Sequence, residues 1–122
     1  MAKVLIIEDE KTLAKMYKDV FEQNDHQVRV VHGVDDALEA ASEMKPDLIL
    51  LDILLPGETG ISFLIKLRKV EDSISETPVV AFSNYDDQES KEEAFRLGAK
   101  DYLIKTANTP MEVLQKAVKY IE

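Results

Sequence analysis

Residues 4–10 read Val4-Leu5-Ile6-Ile7-Glu8-Asp9-Glu10, an unbroken apolar run that stops at three consecutive acids. A strand without polar alternation is one whose two faces are both covered, as in parallel sheets flanked by helices. The pattern returns as Leu48-Ile49-Leu50-Leu51 ending at Asp52, and as Val79-Val80-Ala81-Phe82 ending at Ser83-Asn84. These three runs are expected at the centre of a sheet. Val28-Arg29-Val30 alternates and is expected at an edge, and a fifth strand leads into Lys105-Thr106.

Between the strands the apolar period lengthens to that of a helix. Leu13, Met16, Tyr17, Val20 and Phe21 form one stripe, and Val34, Ala37, Leu38 and Ala41 a second. A third helix is expected to run from about Thr59 to Val70. The fourth is weakly specified. Asp86 to Glu93 holds no apolar residue, so only Ala94, Phe95 and Leu97 can anchor it before Gly98 permits a left-handed stop. It is expected to be the least firmly held helix. The fifth opens on Thr109-Pro110-Met111-Glu112, a capping-box pattern with proline at the first helical position, and buries Leu114, Ala117, Val118 and Ile121. Strands alternating with helices make this an α/β chain, a doubly wound (βα)5 domain with helices on both faces. Residues 1–122 are expected to form a single domain.

The chain carries 15 basic and 24 acidic residues, a net charge of -9, which argues against direct contact with nucleic acid or an anionic membrane. It has no cysteine, and its first apolar run is far too short for a signal peptide or a membrane span. A cytoplasmic location is expected. Acidity in bulk speaks only of solubility; acids placed at strand ends say more.

Doubly wound sheets bind ligands beyond the carboxyl ends of their strands, near the point where strand order reverses. Those ends carry Glu8-Asp9-Glu10, Asp52, Ser83-Asn84 and Lys105-Thr106. Carboxylates forced together raise one another's pKa, a conflict that a bound cation removes. All-oxygen ligation by Glu8, Asp9 and Asp52 suits magnesium or manganese. Asp52 is the candidate nucleophile for phosphoryl transfer, with Lys105 and Ser83 to neutralise the transferred oxygens.

Each of these residues has a plainer reading when taken alone. Glu8 or Asp9 serves as a helix cap, Asp52 or Ser83 as a turn residue, and Lys105 as a snorkelling surface lysine. Tyr102 reads as an edge-strand ring with its hydroxyl in water. The coincidence of Glu8, Asp9, Asp52, Ser83 and Lys105 in four loops on one edge outweighs these separate readings.

Assembled, the chain resembles the receiver domain of two-component response regulators over essentially its whole length. The resemblance is carried by residues 4–10, by Pro46-Asp47-Leu48-Ile49-Leu50-Leu51-Asp52, by Leu54-Leu55-Pro56-Gly57 with Gly60, and by Gly98-Ala99-Lys100-Asp101-Tyr102-Leu103-Ile104-Lys105. It implies a five-stranded parallel sheet of order 2-1-3-4-5. It implies that Glu8, Asp9, Asp52 and the backbone carbonyl of Leu54 hold Mg2+ or Mn2+. Asp52 is then the phosphoacceptor for a sensor histidine kinase or phosphotransfer protein, and Ser83 and Lys105 sense the phosphoryl oxygens. The resemblance further implies that Ser83 moves toward the phosphate and Tyr102 turns inward behind it. That remodels the face of helix four, strand five and helix five for a downstream protein target or an attached output domain. Such a chain is a signalling switch rather than an enzyme, its catalysis limited to its own phosphoryl transfer and hydrolysis. The kinase, the target and whether this face forms a homodimer on phosphorylation are left open.

Two departures from the family stand out. Thr106 occupies the position that usually holds a proline after the lysine. A cis bond before a non-proline residue costs about 2.5–4 kcal/mol, so the Lys105–Thr106 bond is expected to be trans and the loop reorganised. Asn84 stands where a small residue is common, and Leu54 and Tyr85 flank the phosphate position with bulk. Together they imply a phosphorylated form of longer life or lower accessibility. Thr106 and Asn84 also motivate an alternative, a pseudo-receiver that docks a partner without phosphorylation. A flavodoxin-type cofactor binder shares the strand order but needs a Ser-, Thr- and Gly-rich first loop, where Glu8-Asp9-Glu10 would repel a phosphate.

Overall fold

The computed structural model describes residues 1–55 and 57–121; Pro56 of the motif above and Glu122 lie outside the described residues. Strands β1 (Lys3–Ile7), β2 (Gln27–Val31), β3 (Leu48–Asp52), β4 (Val79–Ser83) and β5 (Asp101–Ile104) alternate with helices α1 (Lys11–Gln23), α2 (Val34–Met44), α3 (Gly60–Arg68), α4 (Gln88–Arg96) and α5 (Pro110–Val118). All strand pairs are parallel, in the spatial order β2-β1-β3-β4-β5. Among the described residues, no helix is long and apolar enough to cross a membrane.

The unbroken apolar runs take the three central positions. Val4 to Ile7, Leu48 to Leu51 and Val79 to Phe82 are fully buried, while β2 alternates at the edge. Successive strand residues face opposite sides, so the runs feed two cores. Leu5, Ile7, Ile49, Leu51, Val79 and Ala81 pack beneath α2, α3 and α4. Val4, Ile6, Leu48, Leu50, Val80 and Phe82 pack beneath α1 and α5. Burial of each large apolar side chain stabilises the fold by roughly 1.5–3 kcal/mol.

Two helix expectations need correction. Met16 is 47 % exposed; α1 packs on the sheet beside α5, and its buried line is Ala14, Tyr17 and Phe21, with Leu13 and Val20 at the margin. Phe95 is 43 % exposed, so only Ala94 of α4 is buried. The shortfall is met from α3. Arg68 Nε donates to the Leu97 carbonyl at 2.9 Å, and its Nη1 donates to Ser75 and Thr77 carbonyls at 3.0 Å each. A half-buried guanidinium thus serves the open carbonyls at the end of α4, just before Gly98 turns with φ +87°. The fifth helix starts as expected: Glu112 N–H donates to Thr109 Oγ1 at 3.2 Å, and Thr109 N–H to Glu112 Oε1 at 2.9 Å.

Gly60 fixes how α3 leaves the sheet. Its N–H donates to the Ile53 carbonyl at 2.8 Å, and a Cβ built on it would lie 2.4 Å from the Asp52 carbonyl oxygen and 2.9 Å from Ile53 Cα. Both obstacles are backbone and cannot rotate away. Gly60→Ala is therefore expected to destabilise by roughly 1–3 kcal/mol despite alanine's better helix propensity, read as a lower urea midpoint at unchanged slope.

Burial, reinforced by the negative charges of Glu8, Asp52 and Glu10, pushes the Tyr17 phenol up to about 12. An unfolded chain releases this proton near pH 10, so the folded state is the better proton holder between about pH 10 and 12. Stability is complete below that window and falls as pH rises through it. Tyr17→Phe is expected to remove roughly 2 kcal/mol of this alkaline loss, measured as the difference between urea midpoints at neutral and high pH.

Candidate functional site

Parallel pairing brings the strand ends level. Ile7 pairs with Leu51, Asp52 with Phe82, and Ser83 with Ile104. Glu8, Asp52, Ser83 and Lys105 therefore emerge side by side on one edge, together with Asp9. Glu8, Asp52 and Ser83 are buried, at 1 %, 2 % and 2 % exposure, and Asp9 is exposed.

Lys105 organises the group. Its ammonium lies 2.5 Å from Glu8 Oε1 and 3.2 Å from Asp52 Oδ2, with a side chain only 6 % exposed. The Phe82 ring centroid is 4.8 Å away, so an aromatic face supports the cation on a third side. The snorkelling reading fails because two buried carboxylates draw the ammonium inward. The chain contains no cis peptide bond among the described residues, as expected for Lys105–Thr106, and residues 105–107 form a 3-10 turn.

The other oxygens are partly committed. Leu54 N–H donates to Asp52 Oδ1 at 3.0 Å, and Glu10 N–H donates to Glu8 Oε2 at 3.1 Å. Burial pushes the Glu8 carboxyl up to about 7; Lys105 opposes this and Asp52 adds to it. One carboxylate oxygen from each of Glu8, Asp9 and Asp52 falls in a cluster whose members all lie within 4.8 Å of one another. Three carboxylates against one ammonium leave a formal -2 when all are ionised. Oxygen donors with that charge suit a hard divalent cation, and the cluster is one that could hold Mg2+ or Mn2+.

Ser83 Oγ accepts the Tyr85 N–H at 3.3 Å, the turn contact expected of a serine there. Tyr102 departs from its plain reading: it is 5 % exposed, and its hydroxyl oxygen is buried without a hydrogen-bond partner among the described residues. Burial pushes this phenol up, and the neighbouring Ser83 hydroxyl counters part of the effect. Leu54, Asn84 and Tyr85 are exposed, the first and last at 50 % and 66 %.

Sequence reasoning passed over His32. Its ring Nδ1 lies 2.7 Å from the Glu8 carbonyl, which can only accept, so this nitrogen carries the proton. With Glu8 N–H donating to Val31 at 3.0 Å, the backbone that carries Glu8 is fixed from β2. A histidine one residue past an edge strand gives no signal of this by itself.

Residues 4–119 match the family described as the response regulator receiver domain. The chain is 38 % identical over 103 residues to the phosphate regulon transcriptional regulatory protein PhoB of Klebsiella pneumoniae, covering 84 % of this chain and 44 % of that protein. It is 33 % identical over 123 residues to protein PilH of Pseudomonas aeruginosa, covering 99 % and 98 %. The chain thus spans less than half the length of PhoB and nearly all of PilH. Among solved structures, the receiver domain of the Francisella response regulator 1452 superposes with a TM-score of 0.86 at 32 % identity, covering 99 % of this chain and 96 % of that one. A five-stranded parallel sheet ending in one acidic cluster and a buried lysine, with a family match across almost every residue, makes this chain a member of the response regulator receiver domain family.

Proposed function

We propose that the chain is a phosphorylation switch in which Asp52 accepts a phosphoryl group from a phosphohistidine of a sensor histidine kinase or phosphotransfer protein. Mg2+ or Mn2+ would be held by Glu8, Asp9, Asp52 and the Leu54 carbonyl. The observation that carries this reading is the Asp52 carboxylate, buried at a strand end with Oδ1 on the Leu54 N–H and Oδ2 on the Lys105 ammonium.

In the transfer, an Asp52 carboxylate oxygen forms the new bond to phosphorus as the phosphorus–nitrogen bond to histidine breaks, and the electron pair leaves with the imidazole. When bound, the divalent ion supplies charge neutralisation at the crowded carboxylates and the phosphoryl oxygens. Lys105 needs no large movement to follow the negative charge outward, since its ammonium already rests on Asp52. Ser83 accepts one hydrogen bond and keeps its own hydroxyl proton to donate to a phosphoryl oxygen.

The unpartnered Tyr102 hydroxyl beside Ser83 supports a switching role for this pair. A shift of Ser83 toward phosphate changes the surroundings of the buried phenol, and Tyr102 lies on β5 between α4 and α5. The α4-β5-α5 face is then the surface offered to a downstream protein or an attached output domain, the latter in keeping with the greater length of PhoB. Chemistry is confined to self-directed transfer and hydrolysis, and the reading carries a cytoplasmic location with it. Of the two motives for a docking-only alternative, Thr106 weighs less, because Lys105 keeps contact with both Glu8 and Asp52, and this supports the phosphorylation reading.

With phosphoramidate and Mg2+, the intact mass is expected to rise by one phosphoryl group. Asp52→Asn or a chelator should abolish the gain, and Lys105→Met should slow it about a hundredfold. No gain for the wild-type chain with metal present would sink the reading. Because Leu54 and Tyr85 are largely exposed, they can shield a phosphoryl group only by closing over it. Asn84→Ala and Tyr85→Ala are each expected to speed dephosphorylation about threefold, equivalent to about 0.6 kcal/mol; unchanged time courses would remove the expectation of a long-lived phosphoform.

A further inference from the structure

Lys105 must hold its ammonium between Glu8 and Asp52, yet the two residues after it, Thr106 and Ala107, are small and exposed. Something else has to fix the backbone from which the lysine extends. The contacts of Asn108 answer this. Its side-chain Nδ2 donates to the Ile104 carbonyl at 2.9 Å, and its backbone N–H donates to the Lys105 carbonyl at 3.4 Å. Those carbonyls belong to the peptide groups immediately before and after the Lys105 Cα. One residue therefore grips both sides of the pivot from which the lysine side chain departs.

The amide is itself oriented. Lys116, on α5, donates to Asn108 Oδ1 at 2.5 Å. An ammonium only donates and a carbonyl only accepts, so the amide has one consistent orientation, oxygen toward Lys116 and nitrogen toward Ile104. The next residue, Thr109, is locked into the capping box of α5. The turn is thus held at its far end by a well-anchored helix and at its near end by the pairing of Ile104 with Ser83.

We propose that Asn108 is a positioning residue for Lys105, setting the ammonium on Glu8 and Asp52 in place of any restraint from residue 106. This rests on the phosphorylation reading above. Loss of the amide donor frees the turn at residues 105–107, and the ammonium then samples positions away from Asp52. Misplacing a catalytic group by about an ångström costs up to about a hundredfold in rate, and partial freedom is expected to cost about tenfold.

The test compares wild type, Asn108→Ala, Asn108→Asp and Thr106→Ala. Aspartate keeps the shape and the Lys116 contact but lacks the donor to Ile104. Two readouts are needed: the rate constant for phosphorylation by phosphoramidate with Mg2+, and the ε-ammonium resonance of Lys105 in lysine-labelled protein without metal, assigned with Lys105→Met. Both Asn108 variants should phosphorylate about tenfold more slowly and move the Lys105 resonance toward that of a solvent-exposed lysine, while Thr106→Ala matches wild type and melting temperatures show all four folded. Wild-type rates and an unmoved resonance in the Asn108 variants would overturn the proposal, as would an equal loss in Thr106→Ala, which would mean general loosening of the loop. If wild type gains no phosphoryl group, the reading at Asp52 fails, and the Lys105 resonance still decides whether Asn108 positions the lysine.

Discussion

Parallel pairing in register is the constraint on which the site depends. Ile7 lies level with Leu51, Asp52 with Phe82 and Ser83 with Ile104, so the residues that finish or follow four strands arrive together without a single long loop. A slip of one residue in β3 would put Leu51 or Ile53 where Asp52 stands and turn each side chain to the opposite face. The fully buried runs that prevent such a slip are thus what aim the carboxylates. Core and site are one structure, and the apolar strands hold the polar groups at a spacing those groups would not choose.

That spacing has a cost. Glu8 and Asp52 are buried beside one another, and burial pushes the Glu8 carboxyl up to about 7. Lys105 relieves the conflict in part, and each partner it loses would leave a buried charge less well compensated. The arrangement is tolerable because the two cores around it are extensive. A charge added at Asp52 would act directly on the Lys105 ammonium 3.2 Å away.

Much of this was legible in the sequence because the signals were local. Val4 to Ile7, Leu48 to Leu51 and Val79 to Phe82 announce buried strands by themselves, and Thr109-Pro110-Met111-Glu112 announces a helix start. The residues following those strands then give the candidate cluster by position alone. What was not legible depends on partners distant in sequence. Met16 and Phe95 have the right periodicity for burial but lie just outside the width of helix that the sheet covers. Arg68, His32 and Asn108 act by hydrogen-bonding backbone carbonyls, and a carbonyl acceptor is present at every residue, so no side-chain pattern marks where such a contact falls. The inward position of Tyr102 likewise rests on its packing in the same core as Ala81, its partner on β4, which a single strand does not reveal.

The Arg68 guanidinium has a mechanical meaning for α4. It donates to the Leu97 carbonyl at the C-terminal end of that helix while also donating to the Ser75 and Thr77 carbonyls, and so ties the helix end to that loop. The opposite end, residues 86–91, contributes no fully buried side chain. A rod pinned at one end and loose at the other moves as a lever, with its largest excursions at the free tip. In α4 the free tip is the end that follows Ser83, so the helix is anchored away from the site, on Arg68, and least anchored beside it.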